Sequence, residues 1–142
     1  MSWRRLITAA ALVGAAAAAS ALVLGGTGRA EASGLPQCVR PQARVAVPPA
    51  LARFPLPSGT VLDRKQVRYG YAIYSGYVAG AINPTRDFFV GRLPAAGFRL
   101  GAGDSEAAEA EAAYRGHGVH GRWKVRAVYG CAGALTIQIA VR

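Results

Sequence analysis

The clearest alternation of apolar and polar residues lies at the end of the chain. In residues 135–142, branched aliphatic side chains occupy every second position: Leu135, Ile137, Ile139 and Val141. A period of two is typical of a strand with one buried and one solvated face. The same period recurs in residues 122–127, where apolar side chains alternate with Arg122, Lys124 and Arg126. We predict a strand in each segment.

Earlier in the chain the pattern predicts a short strand at Thr60–Asp63, a connection, and one long strand at Val67–Ala81. The odd-numbered residues of the long strand, including three tyrosines, share one face. Gly76 and Gly80 are candidate positions for a bulge that bends so long a strand. Another strand is expected to begin at Phe98 and to run into the glycines of residues 101–103.

A helix is predicted between these strands. Asn83 is a suitable N-cap, and Pro84 suits the first helical position. Spacings of four and three residues place three apolar side chains on one helix face: Phe89, Leu93 and Ala96. Gly97 is expected to end the helix in the left-handed conformation.

The segment Glu106–Tyr114 is compatible with two structures. Its alanines and glutamates favour a helix by propensity, whereas its alternation favours a strand. A hairpin around the glycine-rich loop Gly116–Gly121 would place Glu111 opposite Arg126, which is a favourable cross-strand pair. We therefore predict a strand at Glu109–Arg115.

Together these elements predict an α+β domain at residues 60–142. Its antiparallel sheet has about five strands, and one main helix packs on one face as a two-layer sandwich. Residues 33–59 contain six of the eight prolines, which excludes a central strand and predicts an extended arm. Residues 49–54 are expected to form one helical turn within this arm.

Residues 1–32 have the pattern of a signal peptide. Arg4 and Arg5 precede an uncharged apolar stretch at 6–24, and Ala30-Glu31-Ala32 supplies the small residues that signal peptidase recognises. We predict export and cleavage after Ala32. The alternative is an uncleaved N-terminal membrane anchor, because 19 residues are long enough to span a bilayer.

The only two cysteines are Cys38 and Cys131. In an exported protein, an even pair predicts a disulfide. A redox site would need a close pair such as Cys-x-x-Cys, and these residues are far apart in the sequence.

The formal net charge is +10, and it becomes +8 when residues 1–32 are removed. Such an excess attracts anionic envelope polymers or lipid surfaces, although it also serves solubility alone. Another secreted protein is a further possible partner. We do not expect nucleic acid, because the chain is predicted to be exported and has no recognition signature.

Two groups of residues are candidate binding surfaces. The first is the basic side of one strand, Arg122, Lys124 and Arg126, which would contact an acidic partner unless Glu109 and Glu111 neutralise it. The second is an aromatic and basic platform for a sugar or anionic polymer, formed by Tyr69, Tyr71 and Arg68. The alternative for the second group is that the odd-numbered face packs beneath the helix.

No motif specifies a reaction. The chain has no nucleophile elbow and no phosphate-binding loop, so we do not favour an enzyme. His117 and His120 are weak candidates for metal ligands, because zinc needs three or four ligands. We expect two solvated loop histidines instead, and neither a metal nor a cofactor.

A resemblance can be stated on a few motifs. They are Phe88-Phe89 leading to Leu93-Pro94-Ala95-Ala96-Gly97-Phe98, then Gly121-Arg122-Trp123, and finally Gly130-Cys131. They resemble small uncharacterised secreted domains of GC-rich bacteria over residues 55–142. The resemblance implies an α+β fold and export, and it supplies no catalytic residues.

The sequence therefore predicts a small, basic, exported binding domain of the cell envelope. One alternative is a small-ligand carrier or enzyme with a pocket between helix and sheet, lined by Tyr69, Tyr71 and Phe89. Another is a secreted inhibitor or effector that contacts a protein through residues 116–121 or the proline-rich arm.

Overall fold

The computed structural model describes residues 34–142, so the predicted signal peptide lies outside the described residues. A single 3₁₀ turn at Pro49–Leu51 comes first. The helix and strands that follow are β1 (Val61–Arg68), β2 (Tyr71–Ala79), α1 (Ile82–Ala95), β3 (Arg99–Glu106), β4 (Glu109–Gly116), β5 (Val119–Ala127) and β6 (Ala134–Val141). Within residues 34–142, no helix has both the length and the hydropathy needed to cross a membrane.

All strands are antiparallel in one open sheet of order β1-β2-β6-β5-β4-β3. The α+β prediction is confirmed, but the sheet has six strands rather than about five. The predicted long strand at 67–81 is wrong, because a turn at Tyr69-Gly70 divides it. Both turn residues have positive φ, 51° and 76°, which is the type I′ geometry that joins paired strands tightly.

The structure has a bulge in the neighbouring strand β1, so the prediction of a bulge at Gly76 or Gly80 is wrong in its position. The register of β1 shifts between Leu62 and Arg64, opposite Gly76 and Ser75. A Cβ atom at Gly76 would lie only 1.9 Å from the Val61 carbonyl oxygen. Gly76 therefore permits a close approach of β1, while Asp63 is the extra residue of the bulge.

The helix begins earlier than predicted. Its N-cap is Ala81, which makes no side-chain capping bond, so the prediction of Asn83 as N-cap is wrong. Pro84 is tolerated because it still lies in the first turn, where backbone N–H groups have no partner within the helix.

The predicted helix end is confirmed. Gly97 has φ of 85°, and its N–H donates to Pro94 at 3.0 Å while the Phe98 N–H donates to Leu93 at 2.9 Å. These two bonds form a Schellman motif.

One face of the sheet packs under α1. Phe89 and Leu93 are fully buried, and the Phe89 ring stacks on Trp123 with centroids 4.7 Å apart. From β2, the even-numbered Tyr74 and Val78 enter this core, with Tyr74 opposite Ile139. The interpretation that the odd-numbered face lies beneath the helix is therefore wrong, and Tyr71 and Ile73 lie on the other face.

The proline-rich arm wraps around the β1 edge. On one side of the sheet, Cys38 is bonded to Cys131 with Cα atoms 5.8 Å apart, which confirms the predicted disulfide. The backbone N–H of Val45 then bonds to Leu62 at 2.7 Å. On the helix side, Phe54 is buried with its centroid 4.8 Å from that of Tyr114. The arm is thus part of the core, and its predicted helical turn is present.

The strand prediction for 109–115 is confirmed, but its register differs from the expected one. The turn between β4 and β5 contains only His117 and Gly118, both with positive φ, rather than all of residues 116–121. Glu111 therefore pairs with Lys124, and Glu109 pairs with Arg126. The expected pairing of Glu111 with Arg126 is wrong by two residues.

Candidate functional site

The sheet face opposite α1, which we call the outer face, carries side chains in rows that cross the strands. Arg99 lies opposite Arg115, Arg115 opposite His120, and Arg68 opposite Tyr71. Between His120 and Tyr71 the backbone of residue 142 exchanges two hydrogen bonds with His120, at 3.0 and 2.9 Å. We call this set the basic row: Arg68, Tyr71, His120, Arg115 and Arg99.

The next row toward the centre of the sheet is mostly small and apolar. Ile73 lies opposite Ala140, Ala140 opposite Arg122, and Arg122 opposite Ala113. Because these side chains are mostly shorter than those of the basic row, they form the floor of a groove of about 940 Å³. The two hairpin turns that hold Tyr69 and Gly118 also line this groove.

The groove carries positive charge without acidic residues. Four arginines line it: Arg68, Arg99, Arg115 and Arg122. Among its described lining residues there is no aspartate or glutamate. Like charges directly opposite each other on neighbouring strands repel, and Arg99 and Arg115 are such a pair. The arrangement therefore favours an anion.

Aromatic rings lie beside these arginines. The rings of Tyr71 and His120 are perpendicular, with centroids 6.1 Å apart. Tyr69 is 84% exposed at the tip of the β1–β2 turn, and the Arg68 guanidinium lies 5.1 Å from its ring centroid. The groove thus offers both cationic and aromatic surfaces.

The groove floor is fixed by a buried hydroxyl. Tyr114 donates a hydrogen bond to the Ala140 carbonyl at 2.9 Å, and burial raises the pKa of Tyr114 far above its usual range. Its hydroxyl therefore remains a neutral donor. Glycine is required at position 121, because a Cβ atom there would lie 1.8 Å from the Ala140 carbonyl oxygen that accepts this hydrogen bond.

The centre of the outer face has a different arrangement, which we call the ion-pair ladder: Arg122, Glu111, Lys124, Glu109 and Arg126. The Lys124 ammonium lies 2.7 Å from Glu109 and 2.9 Å from Glu111. Glu109 also accepts from the Arg126 Nε at 2.6 Å, and Glu111 accepts from Arg122. Acidic and basic side chains alternate throughout.

The ladder shifts the pKa of its carboxyl groups. Hydrogen bonds from Lys124 and Arg126 lower the pKa of Glu109, and hydrogen bonding to Lys124, helped by Arg122, lowers the pKa of Glu111. The same bonds raise the pKa of Lys124. Each shift favours the charged form, so the ladder stays ionised at neutral pH.

The structure rearranges the two predicted binding surfaces. It places Arg68, Tyr69, Tyr71 and Arg122 around one groove. Lys124 and Arg126 lie outside the groove and pair with Glu109 and Glu111. That these two bind a partner remains a prediction.

Sequence reasoning missed Arg99 and Arg115. The signal was present, because each directly neighbours a side chain that faces the helix: Leu100 follows Arg99, and Tyr114 precedes Arg115. The alternation of a strand therefore sends both arginines to the outer face.

The histidines have separate roles. The His117 Nε2–H donates to the Ala96 carbonyl at 2.7 Å, and its ring packs edge-on against Phe98. It therefore satisfies a carbonyl at the end of α1, and it is exposed in the turn between β4 and β5, as expected for a loop histidine. The expected loop position is wrong for His120, which is exposed on a strand. His120 lies in β5 and lines the groove. Within residues 34–142, no three side chains of the metal-ligating types lie close enough to hold an ion.

The predicted pocket between helix and sheet is not formed by its expected residues. Phe89 is buried against Trp123, whereas Tyr69 and Tyr71 line the groove on the opposite face. Those three side chains cannot line one cavity.

No known protein family, curated protein or solved structure matches this chain. The disulfide indicates an oxidising compartment outside the cytoplasm.

Proposed function

We propose that this protein is a small exported binding domain of the cell envelope, and that its basic groove holds a segment of an anionic polymer. The observation that carries the proposal is the composition of the groove. Four arginines line it, of which only Arg122 is paired with a carboxylate within the described residues, and none of the described lining residues is acidic. Aromatic side chains line the groove beside them, at Tyr69, Tyr71 and His120, so binding is the function that the described lining residues support best.

The predicted leader and the disulfide support the location. The apolar stretch at 6–24 followed by Ala30-Glu31-Ala32 is typical of a secretion signal. The Cys38–Cys131 bond agrees with an oxidising environment. An uncleaved leader would leave the domain tethered on the same side of the membrane, where it would meet the same polymers.

The shape of the groove favours a polymer segment over a flat lipid surface. Ile73, Ala113 and Ala140 form a recessed floor between the arginine side chains. A planar bilayer would contact the arginines without reaching this floor, whereas a single chain can enter it. The volume of about 940 Å³ lies within the range of ligand clefts.

The test is cosedimentation of the oxidised protein with purified cell walls across a salt series. Native walls are compared with walls stripped of their anionic polymers. We expect binding to native walls that weakens with salt, because screening reduces the attraction, and loss of binding on stripping. Equal binding to stripped walls, or no binding to either, would overturn the proposal.

A matched pair of variants assigns the binding to the groove. Arg99→Gln/Arg115→Gln and Lys124→Gln/Arg126→Gln remove the same amount of charge from the same face. If only net charge matters, both weaken binding equally. If the groove binds, only the first does.

A further inference from the structure

We infer that the groove contains two adjoining subsites, an oxoanion clamp and a ring-binding corner, which together take a sugar unit that carries a phosphate or a carboxylate. The clamp is formed by Arg99 and Arg115, and the corner is formed by Tyr71 and His120. The inference rests on the proposed function and specifies the chemistry of the polymer that the groove holds.

The clamp follows from the register of β3 and β4. Arg99 and Arg115 lie directly opposite each other on the outer face, where Cβ atoms of such pairs are about 4.5–5.5 Å apart. Both side chains are exposed and line the groove. In residues 34–142, neither is paired with a carboxylate. An oxoanion between them would replace repulsion with charge-assisted hydrogen bonds to planar guanidinium groups.

The corner lies next to the clamp in the same row. His120 is the cross-strand neighbour of Arg115, and its ring is perpendicular to that of Tyr71 at 87°. An edge-to-face pair uses only one face of one ring, so aromatic surface remains for a ligand. Ile73 and Ala140 supply apolar floor beside this pair.

The two subsites favour a composite ligand. A free anion would use the clamp and leave the aromatic surface empty, whereas a neutral sugar would leave Arg99 and Arg115 facing each other. A sugar ring with an attached oxoanion satisfies both, because Arg115 and His120 are direct neighbours. The ring hydroxyl groups would find donors and acceptors in Tyr71 and His120.

The experiment is a calorimetric titration of the oxidised protein with four small probes: glucose 6-phosphate, glucuronate, glucose and inorganic phosphate. We expect at least one charged sugar to bind about tenfold more tightly than either glucose or phosphate, since two subsites are occupied together. The ranking of glucose 6-phosphate against glucuronate identifies the anion. Glucose binding as tightly as both charged sugars would overturn the clamp.

Variants separate the two subsites. Arg99→Gln/Arg115→Gln is expected to abolish the preference for charged sugars. Tyr71→Ala is expected to reduce the affinity for glucose 6-phosphate to that for inorganic phosphate, while Tyr71→Phe retains the ring and most of the affinity. Tyr129→Ala is the control, because Tyr129 is fully exposed and outside the groove. A Tyr71→Ala variant that binds all probes like the wild type would overturn the corner.

The inference and the proposed function fail in different ways. Binding to native walls without binding to any small probe would overturn the two subsites and leave the envelope function standing. No binding to native walls and none to any small probe would overturn the two subsites and the envelope function together. Binding of small probes without any binding to native walls would support the subsites and overturn the envelope partner. Trp123 fluorescence, which reports the core, verifies that each variant is folded.

Discussion

Two regions of the outer face use the same residue types in opposite ways. In the ion-pair ladder, Lys124 and Arg126 alternate with Glu109 and Glu111, so positive charge is neutralised within the protein. In the groove, arginines line a floor without acidic residues among the described lining side chains. The two regions meet on β4 and β5, where Arg122 belongs to both. The comparison shows that strand register, rather than net charge, decides whether a basic side chain serves the fold or remains free for a ligand.

The largest expected effect is on the stability of the whole domain, and it comes from removing the disulfide. Replacing both cysteines, Cys38→Ala/Cys131→Ala, is expected to lower the free energy of unfolding by up to about 4–5 kcal/mol, because the long loop is no longer closed in the unfolded chain. Urea unfolding measures the loss. At urea concentrations below the unfolding transition, the folded variant should keep the ion-pair ladder and should still bind walls. Neither the ladder nor the groove includes Cys38 or Cys131. A folded variant that no longer binds would show that the groove depends on the disulfide directly.

The next effect concerns the groove alone. Arg99→Gln/Arg115→Gln is expected to weaken wall binding by at least about tenfold, because charge-assisted hydrogen bonds to the ligand are lost. Its thermal stability should stay the same or rise slightly, because repulsion between opposite arginines is removed. Cosedimentation and thermal unfolding give the two readouts. A lower melting temperature with unchanged wall binding would show that Arg99 and Arg115 stabilise the fold rather than bind a ligand.

Variants of the ion-pair ladder are expected to lose stability and to keep wall binding. Lys124→Gln/Arg126→Gln should reduce the free energy of unfolding by about 1 kcal/mol, as expected for a network of partly exposed ion pairs. Wall binding should change little, because neither side chain lines the groove. Arg86→Gln is a suitable control, because Arg86 pairs only with the exposed Asp87 among the described carboxylates. Strongly reduced wall binding in the ladder variant would assign the contact to the ladder.

The smallest effect is a pH dependence that separates the regions. The folded pKa values of Glu109 and Glu111 lie below their ordinary value of 4.5. Their stabilisation is therefore present above pH 4.5 and is lost as the pH falls through the lowered values. Urea unfolding between neutral and acidic pH should show this loss, and Glu109→Gln/Glu111→Gln should show less of it. Neither carboxyl group lines the groove.

Local signals predicted much of the fold. The alternation of β6, the Gly97 helix end and the cysteine pair depend on neighbouring residues or on simple chemistry, and the structure confirms them. The strand count and the face assignment of β2 failed at Tyr69-Gly70. A tyrosine with positive φ is rare, and neither this turn nor His117-Gly118 has the usual asparagine or aspartate.

The groove was harder to predict because it depends on register between strands. Both faces of β2 carry aromatic residues, so Tyr71 and Tyr74 could not be assigned to a side by hydrophobicity alone. The Arg99–Arg115 pair depends on a register shift between Leu100 and Gly103. Without that shift Arg115 would lie opposite Leu100 rather than Arg99, and a single sequence does not specify that register.

The pairing of β2 with β6 has a consequence for how the protein folds. The β1–β2 hairpin and the β3–β6 meander each form from contacts between sequence neighbours, whereas Ile73 meets Ala140 only when these two units dock. Long-range pairing is the slow part of such topologies. The groove floor is made at that seam, so a nascent or partly refolded chain has hairpins before it has a binding site. Ligand affinity should therefore return last during refolding, which makes the ligand a probe of the completed sheet.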